Sequence, residues 1–439
     1  MENNKSAGLV RAMGRWTLTA LVVNSVVGSG IFGLPSIVAG YLGRWSPLAY
    51  FIAAACVAVI MACFAEVASQ FGESGGPYLY ARTAFGNFLG IETGWLLWLV
   101  RLSAAAAAAN LFTNYLAEFW PGAREPLPHL AALTLLIGFL AFINYRGVKS
   151  GAVASNIFTV AKLSALTLFA VAGGVFLLRA HAAAQAVTSP ISPRNWFEAM
   201  LVIWFAYGGF EAALVPMAEA RDPRRDAPFA LFTGLATTTL LYCLIQYVVV
   251  ALLPSAAATD RPLAVAARAM WGEMGAALVT LAALVSLYGY LSAQMLHTPR
   301  LTFAFGERGD FPAFFSHVHA RYRTPHASIL IFAGMVWGMA ALGNFRWNVI
   351  ISSAARLFVY GIVCAALPVL RRKNPSASAY RIPAGDFVAA LGMIFVLAFV
   401  SRMQWGEWIV VLGAMAVAFV NWLWTRNRVS NRGNLVQGG

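Results

Sequence analysis

The sequence predicts an all-α polytopic membrane protein, and three observations carry that prediction. The chain has 439 residues, of which 60% are hydrophobic and 11% charged, whereas a soluble domain is about a quarter charged. Apolar runs of spanning length, about 17–25 residues, recur twelve times. Basic residues gather at alternate connections (Arg221, Arg224, Arg225, Arg308, Arg371, Arg372 and Lys373 among them), while the intervening loops hold fewer, such as Arg44, Arg124 and Arg261. That bias puts both chain ends in the cytoplasm. It also accounts for the formal charge of +14, and no basic patch with interleaved aromatics remains to bind nucleic acid.

The segments follow in order. Residues 1–15 are polar and basic and do not read as a cleavable signal. Segment 1, near 17–40, contains NSVVGSGIFGLP at 24–35. Glycine costs about 1 kcal/mol and proline about 3 kcal/mol relative to alanine inside a helix, so a plain anchor has no reason to carry this stretch. Segment 2 runs near 46–70. Segment 3, near 90–120, holds Arg101 before a run of alanines. Segment 4 lies near 129–146, and segment 5, near 152–178, holds Lys162. Segment 6, near 195–217, reads WFAYGGFEAALVP, with Gly208 and Gly209 near its middle and Pro216 beyond. Segments 7 to 10 lie near 229–253, 274–298, 327–343 and 348–370, the last holding Arg356. Segments 11 and 12, near 387–402 and 405–425, complete a single transmembrane domain over 1–439.

The interruptions in segments 1 and 6 lie five segments apart. Backbone groups left unpaired in lipid cost several kcal/mol each, so an unwound stretch must face protein, water or a ligand. Interrupted helices at corresponding positions in two halves point to a transporter's substrate site. A break near Gly28–Gly30 creates a helix N-terminus that attracts an anion, and it frees carbonyls that attract a cation. The carboxylate and ammonium of an amino acid match that pair. The other reading of the glycines is close helix packing.

Four stretches together resemble the amino acid–polyamine–organocation transporter superfamily: GSGIFGLP in segment 1, SGGPYLYARTAFG at 74–86, FAYGGFEAALVPMAEARDPRRDAP at 205–228 and TPRLTFAFGERGDFPAFFSHVHARYRTPHA at 298–327. The likeness is nearest to bacterial members with L-type or cationic-amino-acid-like pockets. It implies twelve transmembrane helices and a leucine-transporter-type five-plus-five inverted repeat with discontinuous helices 1 and 6. Repeat one covers about 17–178, repeat two about 195–370, and helices 11 and 12, about 387–425, are peripheral. Alternating access would then move one bundle against a scaffold. The resemblance implies that amides of the GSG motif, Gly28, Ser29 and Gly30, hold the substrate carboxylate, which maps to Ser29 and Gly30 with Ile31 adjoining. Carbonyls at Val26 and Val27 would hold the amine, and Phe205, Gly208 and Gly209 would supply the aromatic gate and further carbonyls.

Lysine at membrane depth is costly and is by default a functional candidate. Sodium-coupled relatives of this fold hold Na⁺ between helices 1, 5 and 8, and sodium-independent members place a lysine there. Lys162 matches that lysine, with Ser286 as its neighbour on segment 8. The expectation is that Lys162 replaces sodium and carries a coupling proton; a purely structural tie is the alternative. Glu211 matches an acidic position linked to proton sensing, and Arg101 is expected to share its network. Arg356 is left unassigned, with snorkelling as one reading of it, and Glu66 and Glu118, near segment ends, are expected to be solvated.

Other signals carry less. GESGG at 72–76 matches a hydrolase elbow but lacks the strand–turn–helix setting and partners that motif needs, so no enzyme is expected. No Walker sequence is present, no histidine cluster suggests a metal, and no cofactor is expected. Cys56, Cys63, Cys243 and Cys364 lie in apolar segments and read as small buried hydrophobes. The expected function is secondary amino acid transport across the cytoplasmic membrane, sodium-independent, by proton symport or by exchange. The partners are an amino acid, protons and lipid, and the chain acts as a monomer or a homodimer. A cationic amino acid or polyamine antiporter, a channel-like facilitator and a non-transporting sensor are the alternatives.

Overall fold

Helix α1, Arg15–Val26, stops in the middle of the first apolar run, and α2, Gly30–Leu42, resumes it after residues 27–29. The computed structural model describes residues 13–71, 73, 75–147, 151–180, 192–215, 219–253, 256–374 and 380–437. After a 3₁₀ turn at Gly43–Trp45 come α3 (Ser46–Ser69), α4 (Pro77–Phe85), α5 (Asn87–Leu116), α6 (Pro126–Arg146) and α7 (Gly151–Ala180). The second half holds α8 (Pro193–Tyr207), the single turn α9 (Phe210–Ala213), α10 (Pro223–Leu252), α11 (Pro262–Glu307), α12 (His326–Leu342), α13 (Phe345–Lys373), α14 (Gly385–Val400) and α15 (Trp405–Gln437). Among the described residues the only extended pairing is a single bridge between Met13 and Ala220.

Local sequence sets the helix starts. Ser192 accepts the Asn195 amide at 3.3 Å and Asn344 accepts the Trp347 amide at 2.9 Å, while Pro193 and Pro223 occupy first-turn positions. Side-chain caps and first-turn prolines both suit a helix N-terminus, where backbone N–H groups lack internal partners. Within α11 the backbone departs from helix at Trp271 and Gly272 (φ 67°), so its first turns form an arm set at an angle to the rest. The apolar run begins after that bend, which is why segment 8 reads as 274–298. The helix continues to Glu307 because helices do not stop where the apolar composition does. Pro216 lies outside the described residues.

Eight helices among the described residues are long and apolar enough to cross a membrane, Gly30–Ser69 being taken as one; His326–Leu342 and Gly385–Val400 are shorter apolar helices. The chain is a multi-pass membrane protein. Helices α5 and α13 form its centre, with 89% and 78% of their apolar windows buried, against 22% for α6 and 17% for α15. The outer helices present Leu135, Phe139, Leu168, Ile394 and Ile409 outward, the arrangement a lipid solvent favours. Two carboxylates depart from the solvated places expected of them. Glu66 is 1% exposed, receives two hydrogen bonds from Arg371 at 2.6 and 2.7 Å, and accepts the Ile382 amide at 2.9 Å. Glu118 pairs with Arg261 at 2.7 Å and with Arg268. Both lie near apolar segment ends, but the folded helices bring arginines over them.

The candidate substrate cavity

A cavity of about 710 Å³ lies where α1, α2, α5, α7, α8, α9, α11 and α13 converge, and both helix interruptions line it. The two interruptions are packed on each other. A Cβ at Gly30 would lie 3.2 Å from the Cα of Ala206, and one at Gly209 would meet the Ser25 carbonyl. Gly209 also has φ 108°, a region L side chains rarely adopt. So glycine is required there both by backbone conformation and by close approach. The Tyr242 hydroxyl, from α10, lies 3.0 Å from the Val26 carbonyl and 3.2 Å from that of Ala206. It shares one proton between the two interruptions and ties them together.

At the first interruption Gly28, Ser29 and Gly30 line the cavity, with Ile31 next in the chain. The amides of Ser29, Gly30 and Ile31 donate to no protein acceptor among the described residues. The Ser29 hydroxyl is also buried without a partner. The nearby carbonyls are engaged. Val26 accepts the Gly28 amide at 2.8 Å as well as Tyr242. Lys162 donates to the Asn24 carbonyl at 3.1 Å, to the Asn24 side-chain oxygen at 2.8 Å and to the Val27 carbonyl. Ser286 lines the same cavity, but no hydrogen bond joins it to Lys162. The ammonium therefore sits on the carbonyl end of α1, where the helix dipole is negative.

At the second interruption the amides of both glycines are already occupied, Gly208 donating to the Phe205 carbonyl at 3.2 Å. Glu211 accepts the Gly209 amide at 2.9 Å, the Arg356 Nε at 3.1 Å and the Tyr360 hydroxyl at 3.2 Å. This replaces the expected Arg101–Glu211 contact: the ion pair of Glu211 is with Arg356, which is 5% exposed and does not snorkel. Arg356 stands in mid-helix on α13, too deep to reach an interface. Its guanidinium lies where a Cβ on Gly208 would be and 6.0 Å from the Phe205 ring centroid. Arg101 lines the same cavity with its Nε buried and unpartnered. Ile31 is fully buried beside the first interruption. Sequence reasoning missed Arg356 and Tyr242. Arg356 had a signal, being an arginine inside an apolar run; Tyr242 had none.

The cavity extends from the interruptions to the exposed Arg308 at one end of the molecule. A second cavity of about 760 Å³ lies at the other end, bounded by Gly33, Tyr41, Asn114, Asp260, Phe345 and Arg346. Between the two, the Phe345 ring packs on Gly33 with Leu111 beside it, and Tyr115 donates to the Phe32 carbonyl at 2.8 Å. These contacts form a septum between the two vestibules, with the interrupted backbone lining one of them.

The amino acid permease family model matches residues 13–424. The methylthioribose transporter of Bacillus subtilis is 25% identical over 450 residues, covering 96% of this chain and 92% of the relative. A serine/threonine exchanger of the same organism is 27% identical over 401 residues, covering 89% and 91%. The large neutral amino acids transporter small subunit 2 of Rattus norvegicus is 28% identical over 394 residues, covering 84% and 71%. The chain belongs to the amino acid permease family, within the amino acid–polyamine–organocation superfamily that its motifs resemble.

Proposed function

We propose that this amino acid permease is a secondary transporter that moves amino acids across the cytoplasmic membrane by alternating access, without sodium. The observation that carries this reading is the pair of packed helix interruptions lining one cavity, the first offering three amides with no protein acceptor. A carboxylate accepting two or three backbone N–H groups at a helix N-terminus is strongly held. The substrate carboxylate would rest on Ser29, Gly30 and Ile31. Its ammonium would turn to the Gly208 carbonyl, because those of Val26, Val27 and Phe205 already hold donors. The septum of Phe32, Gly33, Tyr115 and Phe345 supports a conformation open to one side only, as alternating access requires. Twelve crossings and a five-plus-five repeat, with both termini inside, agree with the matching places of the two interruptions.

Lys162 supports sodium independence. Its ammonium bonds two carbonyls and the Asn24 side chain, the kind of oxygen set that would hold a monovalent cation. In this reading Lys162 takes the cation's part in every cycle and passes a proton when transport is coupled to one. Exchange of one amino acid for another needs no such titration.

Reconstitution in proteoliposomes tests the proposal. Uptake should saturate, show counterflow, and be unchanged when external sodium is replaced by choline. Lys162→Met should reduce uptake at least tenfold while the protein still folds. Sodium-dependent uptake would overturn sodium independence. The absence of both uptake and exchange for every amino acid, with a monodisperse folded protein, would overturn transport.

A further inference from the structure

We infer that the transported amino acid carries a second anionic group on its side chain, an acidic amino acid of the aspartate or glutamate class, with Arg101 and Arg356 receiving that group. The inference deepens the proposed transport and rests on it. It starts from a charge imbalance beside the second interruption. Arg356 is 5% exposed; among the described residues its Nε pairs with Glu211 and its buried Nη1 has no protein partner. Arg101, on α5, faces the same cavity, its Nε buried and unpartnered, within electrostatic reach of Glu211, Tyr290 and Arg356.

Two guanidinium groups therefore face one carboxylate. Arginine stays protonated in proteins, so one positive charge remains uncompensated at membrane depth. Glu211 carries a single negative charge, and the Gly209 amide, Arg356 and the Tyr360 hydroxyl already donate to it. The cavity wall holds one further acid, Glu219, against three further cationic groups, Arg300, Arg308 and Lys162. A carboxylate entering this space would find planar N–H donors that suit bidentate binding.

The cavity therefore has two places built for anions: the amides at 29–31 with the Ser29 hydroxyl, and the arginine pair. A cationic side chain would meet five cationic groups on the cavity wall, Arg101, Lys162, Arg300, Arg308 and Arg356, against two acids, Glu211 and Glu219. A neutral side chain would leave the arginine charge as uncompensated as before. A substrate with two carboxylates satisfies both places at once.

The test uses the full-length chain in proteoliposomes, with labelled L-glutamate, L-aspartate, L-leucine, L-serine and L-arginine. The acidic pair should be taken up with kcat/KM at least tenfold above the others. Arg101→Gln should raise the KM for glutamate at least tenfold and change that for leucine less than twofold, and Arg101→Lys should restore part of the glutamate affinity. Thermal unfolding of each variant confirms that it is folded; Arg101 has no ion pair among the described residues, so its replacement should not lower the melting temperature. Preferred uptake of leucine, serine or arginine would overturn the acidic assignment while leaving transport intact. Equal loss of glutamate and leucine uptake in Arg101→Gln would overturn the role of Arg101. Failure to move any of the five, or any other amino acid, would overturn the transport reading itself.

Discussion

The two helix interruptions look alike in sequence and differ in chemistry. At the first interruption the N–H groups of Ser29, Gly30 and Ile31 meet no protein acceptor among the described residues, while the carbonyls of Val26 and Val27 are occupied by Tyr242, the Gly28 amide and Lys162. At residues 208–209 the Gly209 amide is capped from within by Glu211, which is itself held by Arg356 and Tyr360. The first interruption thus reserves its donors for a ligand. The second satisfies its own donor and offers the free side of a guanidinium. Glycine marks both places because both need an interrupted backbone, but the residue that completes each comes from elsewhere: Lys162 on α7 for one, Arg356 on α13 for the other.

The largest effect should come from breaking the internal cap. Glu211→Gln strands a buried guanidinium, and losing one partner of a buried ion pair costs about 3–5 kcal/mol. The melting temperature should fall clearly and uptake should cease. In Glu211→Gln/Arg356→Gln the penalty should be smaller than the sum of the single variants; strictly additive losses would show that the pair is not coupled.

Next in size is Gly209→Ala. It forces an L residue to φ 108° and drives its Cβ into the Ser25 carbonyl. Backbone strain of this kind costs about 1–3 kcal/mol, and the steric contact adds to it. Thermal unfolding should register the loss; an unchanged melting temperature would mean that the two interruptions are not packed as described.

Ser29→Ala separates the two regions in the opposite way. Its hydroxyl has no protein partner, so stability should be unchanged. A hydrogen bond to a charged group is worth about 1.5–3 kcal/mol, so the KM for substrate should rise about tenfold or more. A destabilised Ser29→Ala with unaltered KM would remove this hydroxyl from the site. The smallest effect belongs to Tyr242→Phe, which removes the hydroxyl joining Val26 to Ala206 at a cost of about 1 kcal/mol. It should shift uptake rates modestly, and calorimetry against wild type would detect the stability change.

Much of this site was legible in the residues. NSVVGSGIFGLP and WFAYGGFEAALVP announce interrupted helices because glycine and proline are penalised inside one. Lys162, Arg101 and Glu211 announce themselves as charges in apolar runs. Arg356 obeys the same rule, yet its partner could not be read: Glu211 lies 145 residues away in the chain. Glu66 looked solvated for a similar reason, since Arg371, 305 residues on, covers it only after folding.

Composition and local propensity by themselves determined that this chain enters a membrane, where its helices must give way, and which charges demand an explanation. Those properties depend on neighbours along the chain and on transfer from water to lipid. Which charge meets which, which peptide groups stay available, and where two vestibules stop short of each other were decided only by tertiary structure, because hydrogen bonds and ion pairs act over a few ångströms between residues that the chain itself keeps far apart.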